Sequence, residues 1–149
     1  DNPYPITIEN LLTMAHGTDW DERSRPLSDP TNSIRAMTDG DDWLPFILNH
    51  KLMEPPGTRF NYAGGMTVLL GEIISRTSGI DLGGFAELYL FHPMGIYMEG
   101  WQRSRLGVVN CQGGLYLRPR DMAKIGLLFL DGGRWGGQRL AARARPSCW

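Results

Sequence analysis

Pro56-Gly57-Thr58-Arg59-Phe60-Asn61-Tyr62-Ala63-Gly64-Gly65 runs directly into Met66-Thr67-Val68-Leu69-Leu70-Gly71-Glu72-Ile73-Ile74. Pro56-Gly57 marks a tight turn, because proline presets φ and glycine tolerates the positive φ that a second corner can require. From Met66 onward the apolar residues recur at helical spacing. Met66, Val68, Leu69 and Ile73 fall toward one side, and Leu70 and Ile74 widen the stripe. That pattern predicts a helix buried over most of its circumference and closed at Ser78-Gly79. Gly71 within it costs about 1 kcal/mol of helix propensity, which points to close approach of another element. The phenol of Tyr62 then stands just ahead of a helix N-terminus, where a fixed phenol can shuttle a proton beside a nucleophile. The plain alternative is a turn and a buried helix whose tyrosine only packs.

The totals bound the rest. At 149 residues the chain is long enough for one domain with a sizeable core, and its 42% hydrophobic content argues against disorder. Lys plus Arg is 15 and Asp plus Glu is 16, so the net charge is 15 − 16 = −1, which calls for neither nucleic acid nor an acidic membrane surface. Nineteen glycines and 10 prolines predict much turn and loop around short helices. No apolar run approaches the roughly 18–20 residues of a membrane span. The opening Asp1-Asn2-Pro3-Tyr4-Pro5 lacks the basic start and apolar core of a signal peptide. Cys111 and Cys148 form no close-spaced metal pair; a disulfide and two thiols are both compatible with the sequence. His16, His50 and His92 are far apart and match no metal-ligand spacing, so they read as ordinary surface or turn residues, and no metal is expected.

Outward from the tyrosine loop, residues 6–14 read as a short helix entered through Thr7 as N-cap, with Glu9 at the positive end of its dipole and His16-Gly17 as the stop. Residues 19–29 are polar and charged and read as an exposed loop. Residues 32–37 add one or two helical turns. Asp41 or Asp42 caps another helix, with Pro45 tolerated in its first turn. Asp81 caps a helix that runs through Phe91 and stops at Pro93. Gly113-Gly114-Leu115-Tyr116-Leu117 is the best strand candidate, followed by a helix opened by Pro119 and Asp121 and running through Leu130. Lys124 reads as a solvated surface charge. Residues 131–137 read as a turn between extended arms, and residues 141–147 are arginine-rich.

The tyrosine segment resembles the tyrosine-motif region of serine β-lactamases and penicillin-binding-protein-like hydrolases, the class C type and its esterase relatives in particular. Ile6-Thr7-Ile8-Glu9-Asn10-Leu11-Leu12-Thr13-Met14 is similar to that family's helix shortly after the nucleophile helix. Gly113-Gly114-Leu115-Tyr116-Leu117-Arg118-Pro119-Arg120-Asp121-Met122-Ala123 resembles its later strand-to-helix passage. The three matches stand in the family's order. The resemblance implies a mainly α chain with a little β, near residues 115–117 and around Trp135. It would be the helical region of the serine β-lactamase/DD-peptidase-like α/β fold with most of the antiparallel sheet missing. Residues 1–140 would form this partial domain and residues 141–149 an atypical arginine-rich tail. The activity implied is acyl transfer through a serine acyl-enzyme on a β-lactam, a D-Ala-D-Ala peptide or a small ester. It involves a small-molecule acyl substrate, no cofactor, and an extracytoplasmic (periplasmic or secreted) location.

By the same resemblance Tyr62 is the general acid/base, and Ala63 and Gly64 are substrate-binding positions. The family works through Ser-x-x-Lys, Tyr-x-Asn and a Lys-Thr-Gly-like strand. No serine here is followed three residues later by lysine, and there is no Lys-Thr-Gly, nor a His-x-Gly after Gly114. Tyr62-Ala63 fits a Tyr-Ala-Asn version, but Gly64 stands where the asparagine would be. Losing such an amide typically costs about 1–3 kcal/mol. A phenol acts as a base only beside positive charge or inside a relay, and Arg59 on its turn reads as solvated. The expectation is therefore an internal piece of a longer hydrolase, inactive alone. Two alternatives stand beside it: a non-catalytic binding or structural module on the same scaffold, and a small helical protein unrelated to hydrolases. The last would bury its apolar stripe within itself, whereas the hydrolase reading leaves apolar surface uncovered.

Overall fold

A computed structural model describes residues 4–142. Thr7 opens helix α1 (Ile8–Leu12) through a capping box: its hydroxyl accepts from the Asn10 backbone N–H, and the Asn10 side chain returns to the Thr7 backbone. The helix stops earlier than the sequence suggests. Met14 takes φ 55, a left-handed conformation, before the chain reaches Gly17. Asn32 caps α2 (Ser33–Asp39) by accepting from Ile34 and Arg35 backbone amides. Asp42 is the N-cap residue of α3 (Trp43–Leu48), although its side chain makes no capping bond.

Helix α4 (Gly64–Ser78) is the axis of the first core and ends at Gly79 with φ 71. Leu11 from α1, Ile34 and Met37 from α2, Trp43 and Ile47 from α3, and Trp20 from the intervening loop pack around Met66 and Val68. Only the first half of α4 is buried. Leu69, Leu70 and Ile73 are half-buried and Ile74 is exposed, so the expectation of burial over most of the circumference does not hold. Asp81 caps α5 (Leu82–Ala86), which continues into a π-helical turn at Glu87–Phe91 and a 3₁₀ turn at His92–Met94.

The second core joins Ala86, Phe91, Met94 and Ile96 to Leu128 of α6 (Pro119–Leu130). Lys124 in α6 is not a solvated charge. Its ammonium lies 2.8 Å from Asp121 and donates to the Gly95 carbonyl at 2.6 Å, tying α6 to the end of the 3₁₀ turn. The β content is two short antiparallel pairs. β1 (Gly100–Trp101) faces β2 (Leu115–Tyr116), and β3 (Arg134–Trp135) faces β4 (Gln138–Arg139) around Gly136-Gly137. This is the helical part of the expected fold with only small sheets. No helix among the described residues is long and apolar enough to cross a membrane. Of the tail expected at 141–149, residues 143–149, including Cys148, lie outside the described residues.

Candidate active site

Tyr62 sits two residues before α4, and the loop beneath it is fixed from several directions through Asn61. The Asn61 N–H donates to the Met14 carbonyl at 2.7 Å, and its side-chain amide donates to the carbonyls of Trp20 at 2.8 Å and Thr18 at 3.4 Å. The Asn61 carbonyl accepts from His16 Nε2 at 2.9 Å. The other ring nitrogen of His16, Nδ1, accepts from the Thr18 N–H at 3.1 Å and lies 2.8 Å from the Thr18 hydroxyl. An accepting Nδ1 and a donating Nε2 define the neutral ring. Burial pushes the His16 pKa below its ordinary 6.5, outweighing the bond to Asn61, which acts the other way. His16 is thus a fully buried structural residue rather than the surface or turn histidine its spacing suggested.

Tyr62 itself is partly open to solvent, at 36% exposed. The Arg23 guanidinium carbon lies 4.5 Å from its ring centroid, a cation–π contact that steadies the ring and sets a positive charge beside it. Arg59, the cation closest in sequence, pairs instead with Glu54 at 2.7 Å. The next two residues are backbone elements of the site. Ala63 is fully buried in an extended conformation, φ −144 and ψ 105, and is the N-cap residue of α4 without a side-chain cap. The missing cap comes from elsewhere. Glu22 Oε2 accepts from the Gly64 N–H at 2.7 Å and from the Trp20 indole N–H at 2.7 Å, placing a carboxylate at the positive end of α4.

Gly64, Gly65 and Gly71 are notches. A Cβ at Gly65 would lie 2.6 Å from Cζ3 of the Trp20 ring. At Gly71 it would meet the sulfur of Cys111 and stand 2.8 Å from Leu82 Cδ2, which is the close approach this glycine implied. At Gly64 it would lie 2.7 Å from Ile34 Cδ1 and 2.8 Å from Gln112 Oε1. Two residues of one loop, Cys111 and Gln112, therefore seat in glycine notches two helical turns apart on α4. Burial pushes the Cys111 thiol up to about 11, so it packs as an apolar group.

The structure gathers Tyr62, Ala63 and Gly64 at one helix N-terminus and adds four residues that sequence reading did not find. His16, Glu22 and Arg23 reach the loop only through the fold. Asn61, beside the tyrosine, was the one within reach of local reasoning, since asparagine readily bonds nearby backbone.

Comparison with solved structures gives the same architecture. A protein of Bacillus anthracis described as a 6-aminohexanoate-dimer hydrolase aligns with a TM-score of 0.75 and 21% identity over 92% of this chain and 39% of its own. A penicillin-binding protein from Bacillus halodurans aligns at 0.68 and 23% over 87% of this chain and 49% of its own. A D-amino acid amidase from Ochrobactrum anthropi SV3, in complex with D-phenylalanine, aligns at 0.57 and 18% over 89% and 46%. At these identities the likeness speaks for fold, and the chain spans less than half the length of any of the three. Comparison with curated protein sequences finds no match. The Beta-lactamase family model matches residues 2–146, nearly the whole sequence. The chain belongs to the β-lactamase family of serine β-lactamase-like and penicillin-binding-protein-like hydrolases.

Proposed function

We propose that this chain forms the tyrosine side of the active site of a serine hydrolase, whose nucleophile and cationic strand lie in segments other than these 149 residues. The reaction is acyl transfer on a β-lactam, a D-Ala-D-Ala peptide or a small ester. A serine Oγ forms a bond to the substrate carbonyl carbon, and its proton passes through the Tyr62 phenol to the leaving amine or alcohol as the C–N or C–O bond breaks. Water then adds to the acyl-serine, and the serine oxygen recovers a proton by the reverse route. Ala63 and Gly64 border the acyl group through their backbone.

The observation that supports this reading most is the placement of Tyr62. Its loop is clamped through Asn61, while its ring stays partly exposed beneath Arg23. A tyrosine serving only as packing has no need of a clamped loop and a partly exposed ring. The isolated chain, lacking a Ser-x-x-Lys, turns over nothing.

The test uses the full polypeptide that carries this chain, incubated with a chromogenic β-lactam, a D-Ala-D-Ala peptide and a p-nitrophenyl ester. Mass spectrometry follows the covalent adduct. Tyr62→Phe is expected to lower kcat about 10²–10⁴-fold, the span typical of one acid/base group. Turnover indifferent to that substitution would sink the proposal and leave a binding module on the same scaffold. The reading also places the protein outside the cytoplasm, which cell fractionation checks.

A further inference from the structure

We infer that Arg23 is a positioning residue for the acyl transfer: its guanidinium holds the Tyr62 ring and offsets the negative charge that the phenol oxygen carries while protons pass. This rests on the acyl-transfer reading above. The Arg23 guanidinium carbon stands 4.5 Å from the centroid of the Tyr62 ring. The charged residues around it are committed elsewhere. Arg25 pairs with Asp21 at 3.5 Å, and Arg59 pairs with Glu54 at 2.7 Å. Glu22 directs Oε2 to the N–H groups of Gly64 and Trp20, at 2.7 Å from each. Arg23 has no carboxylate partner among the described residues, so no ion pair neutralises the charge over the ring.

The backbone that delivers Arg23 is pinned on both flanks. The fully buried Asn32 amide donates to the Glu22 carbonyl at 3.1 Å and to the Arg25 carbonyl at 2.8 Å, which brackets residue 23. The Asp21 N–H donates to the Ser33 hydroxyl at 2.9 Å, and the Ser33 N–H returns to the Asp21 carbonyl at 2.8 Å. Glu22 then ties this loop to the first turn of α4, two residues beyond Tyr62. Arg23 is itself exposed, so its place over the ring follows from this fixed backbone rather than from burial. Such a cation acts on the proton relay. As the phenol gives its own proton to the leaving group, its oxygen carries negative charge until the serine proton arrives. The ring shares that charge, and a cation held against its face stabilises the charged ring more than the neutral one. The gain is made in the transition state, so it belongs to kcat rather than KM.

The test measures kcat and KM on the full polypeptide that carries this chain. The substrate is whichever of the chromogenic β-lactam, the D-Ala-D-Ala peptide and the p-nitrophenyl ester it turns over fastest. Arg23→Met keeps the apolar stem and lacks the charge; it should lower kcat about tenfold and leave KM within about twofold. Arg23→Lys restores a cation and should recover most of the loss. In a Tyr62→Phe background, Arg23→Met should have no further effect, because the oxygen on which the charge develops is gone. A merely structural arginine would slow the Tyr62→Phe protein by the same factor, or leave lysine no better than methionine, and either result overturns the inference. Unchanged kcat in Arg23→Met beside an impaired Tyr62→Phe also overturns it, while leaving the acyl-transfer reading intact. Indifference to Tyr62→Phe, or a polypeptide inert toward all three substrates, overturns both.

Discussion

His16 Nε2 donates to the Asn61 carbonyl at 2.9 Å across 45 positions of sequence, and this one bond ties the end of the first helical segment to the residue that precedes Tyr62. The imidazole is fully buried, and burial holds its pKa below 6.5. An unfolded chain takes up a proton at His16 near pH 6.5, whereas the folded chain does so only at lower pH. The unfolded state therefore binds more protons in that interval, and stability rises with pH through it. The contribution is complete above about pH 6.5 and is lost as pH falls toward the lower native value. Urea unfolding at pH 7.5 and pH 5.5 should show a loss of stability on acidification that is smaller in His16→Gln. Equal losses in the two proteins would show that His16 does not drive the effect.

Gly71 and Cys111 form a second long-range pair, and here the prediction opposes simple helix propensity. Alanine at position 71 gains about 1 kcal/mol as a helix former. Its Cβ, however, would press on the Cys111 sulfur and stand 2.8 Å from Leu82 Cδ2. Overpacking of this kind costs about 1–3 kcal/mol, so Gly71→Ala should be net destabilising. Cys111→Ala removes the obstructing sulfur. The double variant should then be more stable than the sum of the single effects, by about 1 kcal/mol in a double-mutant cycle of urea midpoints. Additive single effects would count against the notch.

These two pairs also show how much of the molecule was legible in the sequence. The caps at Thr7 and Asp81 and the glycine stop at Gly79 were readable because each is a bond or backbone conformation within four residues. The Tyr62 loop and its helix were readable for the same reason. What the sequence did not disclose depends on folding: Glu22 capping α4 from 42 residues away, Arg23 over the Tyr62 ring, and His16 turned inward. His16 stands between alanine and glycine with no polar neighbour to mark it. Lys124 was misread because its acceptor, the Gly95 carbonyl, lies 29 residues earlier, beyond any helical spacing rule. The residue filling the Gly64 space could not be named from a pattern that records only what position 64 lacks.

Asp81 is held at about 2 because Arg103 donates to both of its oxygens, at 2.6 and 2.7 Å, while the carboxylate also accepts from the backbone of Gly83 and Gly84. The sign is opposite to that of His16. A depressed carboxylate contributes stability above its ordinary 3.8, and the contribution disappears as pH falls through about 2. The Asp81 side chain is 48% exposed, so solvent screening keeps the ion-pair part small, and most of the effect should come from capping α5. Asp81→Ala should cost about 1–2 kcal/mol at neutral pH, and Asp81→Asn less, because asparagine still caps. Thermal unfolding in 0.05 M and 0.5 M salt separates the two contributions. A strongly salt-dependent loss in Asp81→Asn would assign the stability to the ion pair instead.

Between α1, α3 and α4 lies an open groove of about 360 Å³ whose apolar wall includes Leu44, Ile47, Leu48, Met66, Leu69 and Ile73. Leu48 at its edge is 67% exposed and Leu12 on neighbouring α1 is 66% exposed. A helical protein that buried its own stripe would leave no such surface, since apolar patches of this kind on a monomer attract apolar partners. The 149-residue chain by itself should therefore bind an environment-sensitive dye such as ANS at neutral pH. Circular dichroism should meanwhile report intact helices and retained aromatic signals, which separates surface binding from a loosened core. Leu48→Gln together with Leu69→Gln should reduce the dye fluorescence severalfold without loss of helix. A folded, monomeric chain that leaves the dye dark would mean that the groove closes in solution and that α4 is covered from within this sequence.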